Sequence, residues 1–456
     1  MEIGIAAHSE AVRRLQASYD AIPAGAPVRL AKKTSNLFRP REVAAAGLDV
    51  SDLGGVISVD PVGRTADVQG MCTYERLVDA TLPHGLIPLV VPQLRTITLG
   101  GAVTGLGIES TSFRSGLPHE SVLEMDVFTG AGEVVTATPD NEHAELFATF
   151  PNSYGSLGYA TRLRIELEPV GSYVALRHVR FADTGSLQEA IARVTATREW
   201  EGERVDGLDG VAFEPGDHVL TLARWTHDMG GAAPSDYTGQ QVYWRSIQQR
   251  DTDLLTAYDY LWRWDTDWFW CSRAFGAQHP VVRRVWPRRL RRSDTYHRLV
   301  ALDRRFGVMD RLDRRAGRPQ RERVVQDIEL PVDRLGEFLD WFDTRVGMRP
   351  VWLCPLRLRS ESGWPSYPLR PGLTYVNVGF WGAVSVGPEA PQSPLNRAIE
   401  EKVSELDGHK SLYSESFYDK ATFDRLYDGA NLAAVKKRYD PDDRLTSLYD
   451  KAVRRR

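Results

Sequence analysis

The hydrophobic positions at the start of the chain predict an amphipathic helix over residues 1–20. Val12, Leu15 and Tyr19 recur at intervals of three and four, which places them on one helical face. Strand-like runs then alternate with helix-like segments to about residue 170. This mixture predicts an α+β fold rather than a regular succession of βαβ units.

A second region, from about residue 173, has its own pattern of strands and helices. The helix predicted from Val332 carries Leu335, Phe338 and Phe342 on one face, as a core helix does. The strand candidates are Val174–Phe181, Val219–Trp225 and Tyr375–Phe380, and the helix candidates are Ser186–Trp200, Val332–Thr344, Leu395–Leu406 and Thr422–Tyr439.

The stretch Thr96–Ser110 contains four glycines within eight residues. Because glycine has no Cβ, such a turn lets backbone N–H groups approach a bound group closely. Successive N–H groups form an anion-binding nest that suits a pyrophosphate. The spacing matches neither the ATP-type GxxxxGK loop nor the GxGxxG fingerprint. An ordinary tight turn between strands is the alternative interpretation.

Composition and charge exclude several classes of protein. The 456 residues carry a formal net charge of −4, which gives no reason to expect nucleic-acid binding. Cys72, Cys271 and Cys354 are far apart, which indicates neither a disulfide framework nor a metal site and fits a reducing cytosol. No apolar run is long enough for a membrane span or a signal peptide. We therefore expect a cytoplasmic protein, or one peripheral on the inner face of the membrane.

Motifs on both sides of the glycine-rich stretch give the chain a family resemblance. Upstream lies Val56–Pro61, and downstream lie Ser115–His119, Val122–Phe128 and Gly155–Leu163. In this order the segments resemble the PCMH-type FAD-binding domain of the vanillyl-alcohol oxidase / p-cresol methylhydroxylase superfamily. The segments that resemble its Δ24-sterol reductase branch are Gly105–Ser110, Val325–Asp327, Pro350–Pro355, Leu412–Tyr413 and Phe423–Gly429.

The resemblance implies three parts of the chain. Residues 1–172 would be a PCMH-type FAD-binding domain of two α/β subdomains. Residues 173–390 would be a substrate or cap domain with an antiparallel sheet and helices, and residues 391–456 would return to the flavin site. The implied fold class is α+β, in agreement with the hydrophobic pattern.

The resemblance also implies where FAD binds. Its pyrophosphate would lie on Thr98–Gly107, with Gly155–Gly158 in a neighbouring turn. Lys32–Arg39 occupies the place of the first FAD contact; it contains no histidine, through which many members bind FAD covalently, so we expect non-covalent FAD. Its Lys32 and Lys33 are either phosphate contacts or solvated surface charges. The predicted FAD-binding residues are Ser35, Asn36, Thr96, Thr98, Leu99, Gly100, Gly101, Thr104, Gly105, Gly107, Ile108, Ser112, Gly155 and Gly158.

Reduction of an isolated C=C bond needs a hydride, which flavin supplies, and a proton from a positioned acid. The resemblance implies that the segment His409–Tyr418 enters the active site. Tyr413, Glu415 and Tyr418 are the candidate acids, and Lys410 is a candidate for holding a flavin or substrate oxygen. The alternation of side chains in this segment also fits a half-buried strand with no chemistry.

Other polar residues have both a functional and a structural interpretation. Glu109 either contacts the cofactor or accepts backbone N–H bonds from the following loop. His119 is either a proton donor or a structural histidine. Gln326 and Asp327 match the sterol reductase branch, and their structural interpretation is that they stabilise a sheet lining the pocket.

Tryptophans and arginines are concentrated between residues 258 and 292. Residues 258–270 contain four tryptophans, and residues 283–292 contain six arginines and no acid. Tryptophans beside an arginine cluster suit the interface of an anionic bilayer. We therefore predict a lid over about residues 258–292 that dips into a membrane. The alternative is a cap with buried aromatics and solvated arginines.

The resemblance implies an FAD-dependent reductase that takes a hydride from NADPH or NADH and passes it to an unactivated C=C bond of a lipid. The first substrate hypothesis is a 10-methylene fatty acyl chain, as in the bacterial tuberculostearic acid reductases, with a methyltransferase as partner. A Δ24-sterol is the alternative substrate. An FAD-dependent alcohol oxidase or dehydrogenase and a lipid-binding protein without activity are the alternative functions. We expect neither a metal nor a nucleic-acid partner.

Overall fold

The computed structural model of the chain describes residues 2–31, 47–306, 311, 317, 319–387 and 389–454. Two large antiparallel sheets dominate these residues, the first sheet within residues 56–169 and the second sheet within residues 173–410. Helices cover both sheets, which confirms the predicted α+β class with its antiparallel second sheet. Within the described part of the chain, no helix has the length and hydrophobicity needed to cross a membrane.

The first sheet is built around one long strand. Its strands are β1 (Val56–Asp60), β2 (Thr65–Gln69), β3 (Leu86–Pro88), β4 (Val122–Phe128), β5 (Val134–Ala137) and β6 (Tyr159–Pro169). They pair in the order β1-β2-β6-β4-β5, and β3 pairs with the far part of β6. Leu163, Ile165 and Leu167 of β6 are buried in alternation with more exposed side chains, as expected for a strand with one face in the core.

Among the described residues, five α-helices accompany the first sheet. They are α1 (Gly4–Asp20), α2 (Tyr74–Thr81), α3 (Leu99–Thr104), α4 (Ser112–Ser115) and α5 (Ala144–Thr149). Helix α1 confirms the predicted N-terminal helix, with Leu15 fully buried. Thr73 begins α2 by accepting a hydrogen bond from the Arg76 N–H, which satisfies an otherwise unpaired donor at the helix start.

The second sheet has eight strands in the part of the chain that the structure describes. They are β7 (Tyr173–Phe181), β10 (Gly207–Glu214), β11 (Asp217–Thr226), β12 (Thr252–Thr256), β13 (Arg321–Pro331), β14 (Val351–Leu356), β15 (Tyr375–Ser385) and β16 (His409–Lys410), and a separate ribbon pairs β8 (Glu199–Trp200) with β9 (Glu203–Arg204). Their order across the sheet is β12-β7-β11-β10-β14-β15-β13-β16. The C-terminal tail therefore supplies an edge strand next to β13.

The helices of the later part of the chain lie on different sides of the second sheet. They are α6 (Thr184–Thr197), α7 (Tyr243–Gln249), α8 (Ala257–Trp262), α9 (Pro280–Val285), α10 (Ser293–Phe306), α11 (Leu335–Arg345), α12 (Pro394–Glu405), α13 (Lys420–Leu426), α14 (Gly429–Tyr439) and α15 (Leu448–Ala452). Val351 and Leu353 of β14 share a core with α6, α11 and α12. Trp352 and Cys354 point to the opposite face and share a core with the first sheet. The second sheet thus separates a helical layer from the contact with the first sheet.

Two predictions about the tail are wrong. The single helix predicted over Thr422–Tyr439 is two helices, α13 and α14. Asp428 lies between them with a left-handed φ of 49°, and its side chain accepts the Asn431 N–H, so it begins α14. The strand alternative for residues 411–418 also fails, because the backbone leaves the sheet after Lys410.

Candidate active site

The glycine-rich stretch forms a short helix packed closely on the first sheet. Thr98 begins α3 by accepting the Gly101 N–H with its Oγ1 at 3.2 Å. The Gly100 N–H donates to the Gly70 carbonyl oxygen at 2.9 Å, and a Cβ on Gly100 would lie only 2.6 Å from that oxygen. The Leu99 N–H donates to Cys72 O at 2.8 Å. Gly100 and Leu99 therefore hold the loop against the sheet, and the exposed Gly101 faces outward.

The later glycines of the stretch allow other close approaches. A Cβ on Gly105 would lie 2.8 Å from Gly101 O and 3.1 Å from the ring of Tyr154. A Cβ on Gly107 would lie 2.7 Å from Pro118 Cγ. Gly105 thus leaves room for Tyr154, and Gly107 leaves room for the chain around Pro118. The glycine requirement at these two positions is set by protein packing.

The turn at residues 152–158 lies against the glycine-rich stretch. The Tyr154 N–H donates to the Thr104 carbonyl oxygen at 2.8 Å. Tyr154, Gly155 and Gly158 have positive φ of 49°, 76° and 135°, a region that glycine enters without steric cost. Lys451 from the C-terminal segment donates to the Tyr154 carbonyl oxygen at 3.1 Å. Three distant parts of the sequence therefore meet at Tyr154.

Several buried polar atoms beside these loops fit the implied FAD. The side-chain oxygens Thr96 Oγ1, Asn152 Oδ1, Ser153 Oγ and Ser156 Oγ are buried, and the described residues offer them no hydrogen-bond partner. Buried polar groups are normally hydrogen-bonded, so this concentration of unsatisfied oxygens fits a polar ligand. Their hydroxyl and amide groups can bond the phosphate, ribose or ring atoms of a dinucleotide.

Other predicted FAD contacts lie outside the glycine-rich stretch and the turn at residues 152–158. Ser35 and Asn36, with Lys32 and Lys33, lie outside the described residues. The Ser112 hydroxyl accepts the Glu109 N–H at 3.1 Å and stabilises the local turn. The remaining predicted residues lie in the stretch or the turn described above: Thr98, Thr104, Ile108, Gly155 and Gly158.

Tyr413 is the predicted acid with the best-defined surroundings. Its hydroxyl oxygen accepts the indole N–H of Trp381 at 3.1 Å, and its hydroxyl also bonds to Asp327. Asn377 Nδ2 donates to Asp327 Oδ1 at 3.0 Å, which fixes the carboxyl group in place. Burial raises the pKa of Tyr413 well above its ordinary value, so its hydroxyl keeps its proton near neutral pH.

Two neighbouring carboxyl groups lie on β13. Burial raises the pKa of Asp327 to about 6, against the opposing effect of its hydrogen bonds. Burial also raises the pKa of Glu329, and the nearby Asp327 adds to that rise. Ser411 Oγ donates to Glu329 Oε1 at 3.1 Å, and Tyr367 OH donates to the same oxygen at 3.3 Å. The result is a buried acid cluster under the tail that can hold protons near neutral pH.

Tyr154 connects the glycine-rich stretch with this acid cluster. Besides burial and Asp327, the proximity of Tyr154 contributes to the raised pKa of Tyr413. Because the Tyr154 N–H is bonded to Thr104 O, the predicted cofactor loop and the predicted acid occupy one place in the fold. This arrangement can present a proton donor to a group bound on the glycine-rich stretch.

The other predicted catalytic residues have structural partners. Lys410 Nζ lies 3.3 Å from Glu400 Oε1 and donates to the Glu415 carbonyl oxygen at 2.7 Å. Its ammonium group is buried in an ion pair with Glu400, and its role in holding a flavin or substrate oxygen stays a prediction. Glu415 is half-buried, and Tyr418 packs its ring 6.4 Å from the ring of Tyr427. Burial raises the pKa of Tyr418.

His119 has the surroundings of a structural histidine. Its ring makes an edge-on contact with Trp364, with 4.6 Å between the ring centroids. Burial lowers the pKa of His119 to about 3, so the imidazole is neutral near pH 7. A neutral imidazole is a poor proton donor, and the structure supports the structural interpretation.

Comparison with known proteins supports an FAD-binding domain in the first part of the chain. Residues 8–138 match the family model described as "FAD binding domain". The chain therefore contains a PCMH-type FAD-binding domain. Its glycine-rich stretch lies inside the matched residues, while the turn at residues 152–158 follows them.

Two of the similar proteins resemble most of the chain. Δ24-sterol reductase of Arabidopsis thaliana is 24% identical over 90% of this chain and 77% of its own length. Δ24-sterol reductase of Homo sapiens is 23% identical over 89% of this chain and 75% of its own length. Cytokinin dehydrogenase 6 of Oryza sativa subsp. japonica is 36% identical over 30% of this chain and 24% of its own length. By these likenesses the chain is an FAD-dependent oxidoreductase.

A buried ion cluster joins the FAD-binding domain to the second sheet. Arg263 Nη2 lies 2.6 Å from Glu109 Oε1 and 3.1 Å from Asp209 Oδ2. Trp264 Nε1 donates to the same Asp209 oxygen at 3.0 Å. Burial raises the pKa of Glu109, while Arg263 and a backbone bond from Ser110 oppose that rise. Glu109 thus carries a structural ion pair, a partner that its sequence neighbours do not reveal.

The tryptophan-rich segment forms an aromatic core. Trp262 and Trp264 are at most 1% exposed, and Trp268 and Trp270 are 7% and 5% exposed. Phe269 packs on Trp381, with 4.2 Å between the ring centroids. The prediction that these aromatics face a membrane is wrong, because the core of the molecule already covers them. They form an apolar wall that reaches the indole bonded to Tyr413.

Proposed function

We propose that this protein is an FAD-dependent reductase that adds hydrogen across an unactivated C=C bond of a lipid, with NADPH or NADH as electron donor. The observation that carries the proposal is the hydrogen-bonded pair of half-buried Tyr413 and buried Asp327, which lies near Tyr154 of the turn at residues 152–158. An alkene reductase needs such a proton source, since the double bond gains one proton for each hydride.

The residues around the glycine-rich stretch would hold the cofactor. Thr96, Asn152, Ser153 and Ser156 supply buried oxygen atoms for its polar groups. FAD bound there would supply the hydride to one carbon of the alkene. We propose non-covalent binding, because the segment Lys32–Arg39, the place of the first FAD contact, contains no histidine.

Tyr413 would donate a proton from its hydroxyl to the second carbon of the alkene. Asp327, in its protonated form, would return a proton to the phenolate oxygen, and the Trp381 indole N–H would stabilise that oxygen in the meantime. The raised pKa of Asp327 places this exchange near neutral pH. The aromatic wall at Phe269 would exclude water and give an apolar chain a surface to pack on.

Names of the similar proteins guide the choice of substrate. The plant and human relatives are named for the reduction of a Δ24-sterol, and they resemble about nine tenths of this chain. We therefore propose a sterol-like side chain with a terminal branched alkene first, and the 10-methylene acyl chain second. The dehydrogenase relative resembles only 30% of the chain, so it bears on the cofactor domain more than on the substrate.

Anaerobic absorbance spectra of the purified protein test the proposal. We expect a flavin spectrum that bleaches with NADPH or NADH in wild type and equally in Tyr413→Phe, because Tyr413 is assigned to the alkene step. Alkene reduction by the variant should fall about 10²–10⁴-fold, the usual contribution of a positioned acid. A protein that cannot bind FAD, or a variant with wild-type alkene turnover, would refute it.

A further inference from the structure

The segment Pro280–Arg292 presents an unusual surface. Val281, Val285 and Leu290 are 67%, 75% and 37% exposed, and the arginines Arg284 and Arg289 are exposed between them. The segment has six arginines and no acid. We name Val281, Arg284, Val285, Arg289 and Leu290 the basic-apolar patch.

The fold holds this patch in place through the other arginines. Arg283 is buried, with Nη1 2.6 Å from Asp267 Oδ1 and Nε donating to the Gln240 carbonyl oxygen at 2.6 Å. Arg291 is also buried and donates to the carbonyl oxygens of Gly239 and Trp286 at 2.6 Å and 2.8 Å. These bonds anchor the backbone of the segment, so the outward direction of the aliphatic side chains is a fixed feature.

The aliphatic side chains of the patch are neighbours. Val281 and Val285 are four residues apart on α9, so they share one helical face. Trp286 Nε1 donates to the Leu290 carbonyl oxygen at 3.2 Å, which brings the following turn back to the end of α9. Val62, by contrast, is exposed in the turn between β1 and β2, and no other exposed large hydrophobic residue is near it in sequence among the described residues. A cluster of aliphatic groups on the surface marks a contact site.

The charges of the patch indicate what it contacts. Among the described residues, Arg284 and Arg289 have no ion-pair partner, and Arg288 beside them has one exposed partner, Asp236, at 3.0 Å. An anionic lipid surface complements both features, because its headgroups attract arginines and its acyl boundary accepts aliphatic side chains.

The patch is connected to the candidate active site by direct contacts. Arg283 binds Asp267, the residue before Trp268 and Phe269, and Phe269 packs on Trp381, which bonds to Tyr413. We propose that the basic-apolar patch docks on an anionic lipid membrane, and that an apolar substrate enters from this side. The entry route rests on the proposed function, whereas membrane docking does not.

Vesicle flotation with flavin-loaded full-length protein tests the docking. The vesicles contain phosphatidylglycerol and phosphatidylcholine in equal parts, and phosphatidylcholine alone serves for comparison. We expect wild type to float with the anionic vesicles, and Arg284→Gln/Arg289→Gln to bind them about 25-fold more weakly, since each arginine near such a surface contributes about fivefold. Val281→Ser/Val285→Ser should weaken binding on the order of tenfold, and the remaining electrostatic binding should fall with added salt.

Matched controls separate the patch from general charge and hydrophobicity. Arg13→Gln/Arg345→Gln makes the same change in net charge at exposed positions, and Val62→Ser removes an isolated exposed valine. These controls should float as wild type does. Absence of wild-type binding, or equal loss in the controls, would overturn the docking. Bleaching by NADPH in every variant tests the flavin function separately, so the two proposals can fail independently.

Discussion

Asp327 is a carboxyl group whose protonation the fold controls. The Asn377 amide and the Tyr413 hydroxyl donate hydrogen bonds to its side chain, and burial raises its pKa from 3.8 to about 6. In solution an aspartate is ionised throughout the neutral range. The native environment therefore moves the pKa of this carboxyl group toward the neutral range.

Asp327→Asn should change both activity and stability with pH. The acid form of Asp327 predominates below pH 6 and is lost as pH rises through about 6. We expect wild-type turnover to fall across that range and the variant to be slower by about 10²-fold, with no such step. Steady-state rates against pH measure this. Glu415→Gln, a half-buried candidate in the same tail, is the control and should keep the wild-type profile.

The stability of the wild-type protein also depends on the protonation of Asp327. Because the native pKa is raised above the unfolded value of 3.8, the native state loses stability as pH rises from about 4 through about 6. The asparagine variant lacks this loss, so its free energy of unfolding relative to wild type should improve by up to ~3 kcal/mol between about pH 4 and pH 7.5. Urea unfolding at the two pH values measures it. An unchanged difference would show that Asp327 does not titrate in this range.

The sequence could locate Tyr413 but could not provide its partners. The family resemblance points to the segment His409–Tyr418, and a tyrosine hydroxyl can act as a proton donor. Trp381 and Asn377 are on a strand that pairs with Asp327, and this neighbourhood exists only after the sheet forms. For the same reason the sequence could not show the ion pair of Lys410. Its position in the tail fits a catalytic role, and only the fold places Glu400 next to it.

At the scale of elements, the glycine-rich stretch combines a predicted contact with the cofactor and close packing against other parts of the protein. The sequence predicted a close approach of backbone to a ligand, and that prediction stays open to test. The structure adds that Gly100 and Gly107 are tight against Gly70 and Pro118. Such contacts join residues far apart in the chain, so glycine content alone could not show them. Helix and strand patterns were easier to predict, since each is encoded locally.

Gly105→Ala should weaken FAD binding. The new Cβ would lie 2.8 Å from Gly101 O and 3.1 Å from the Tyr154 ring, so either the loop or the turn at residues 152–158 must move. We expect at least a tenfold increase in the Kd for FAD in the reconstituted protein, measured by flavin fluorescence. Gly387→Ala is the control, because no atom lies within 4 Å of its added Cβ. Equal affinity in both variants would contradict the assigned place of the cofactor.

At the scale of the whole molecule, buried charges connect the FAD-binding domain with the second sheet. Arg263 compensates two carboxylates, Glu109 of the glycine-rich stretch and Asp209 of β10, and its guanidinium packs 3.9 Å from the ring centre of Tyr260. Glu109 and Arg263 are 154 residues apart in sequence. A single sequence contains no signal for such a pairing. It shows only that an acid, Glu109, lies in the glycine-rich stretch.

Arg263→Met should destabilise the protein strongly. Removal of the guanidinium leaves Glu109 and Asp209 buried without a compensating charge, which costs about 3–5 kcal/mol. The free energy of unfolding from urea titration measures the loss. Arg345→Met changes an exposed arginine and should stay within about 0.5 kcal/mol of wild type. A small change in the free energy of unfolding for Arg263→Met would mean that the stability of the protein does not depend on this ion cluster.

Anaerobic single turnover tests the central claim most directly. The flavin of purified protein is first reduced with NADPH, the excess nucleotide is removed, and a Δ24-sterol or a 10-methylene acyl lipid is added in vesicles. We expect one of these alkenes to restore the oxidised flavin spectrum and to gain two hydrogens by mass spectrometry, with Tyr413→Phe about 10²-fold slower. Flavin that stays reduced with every alkene, while an alcohol reduces the oxidised protein, would contradict the reductase function.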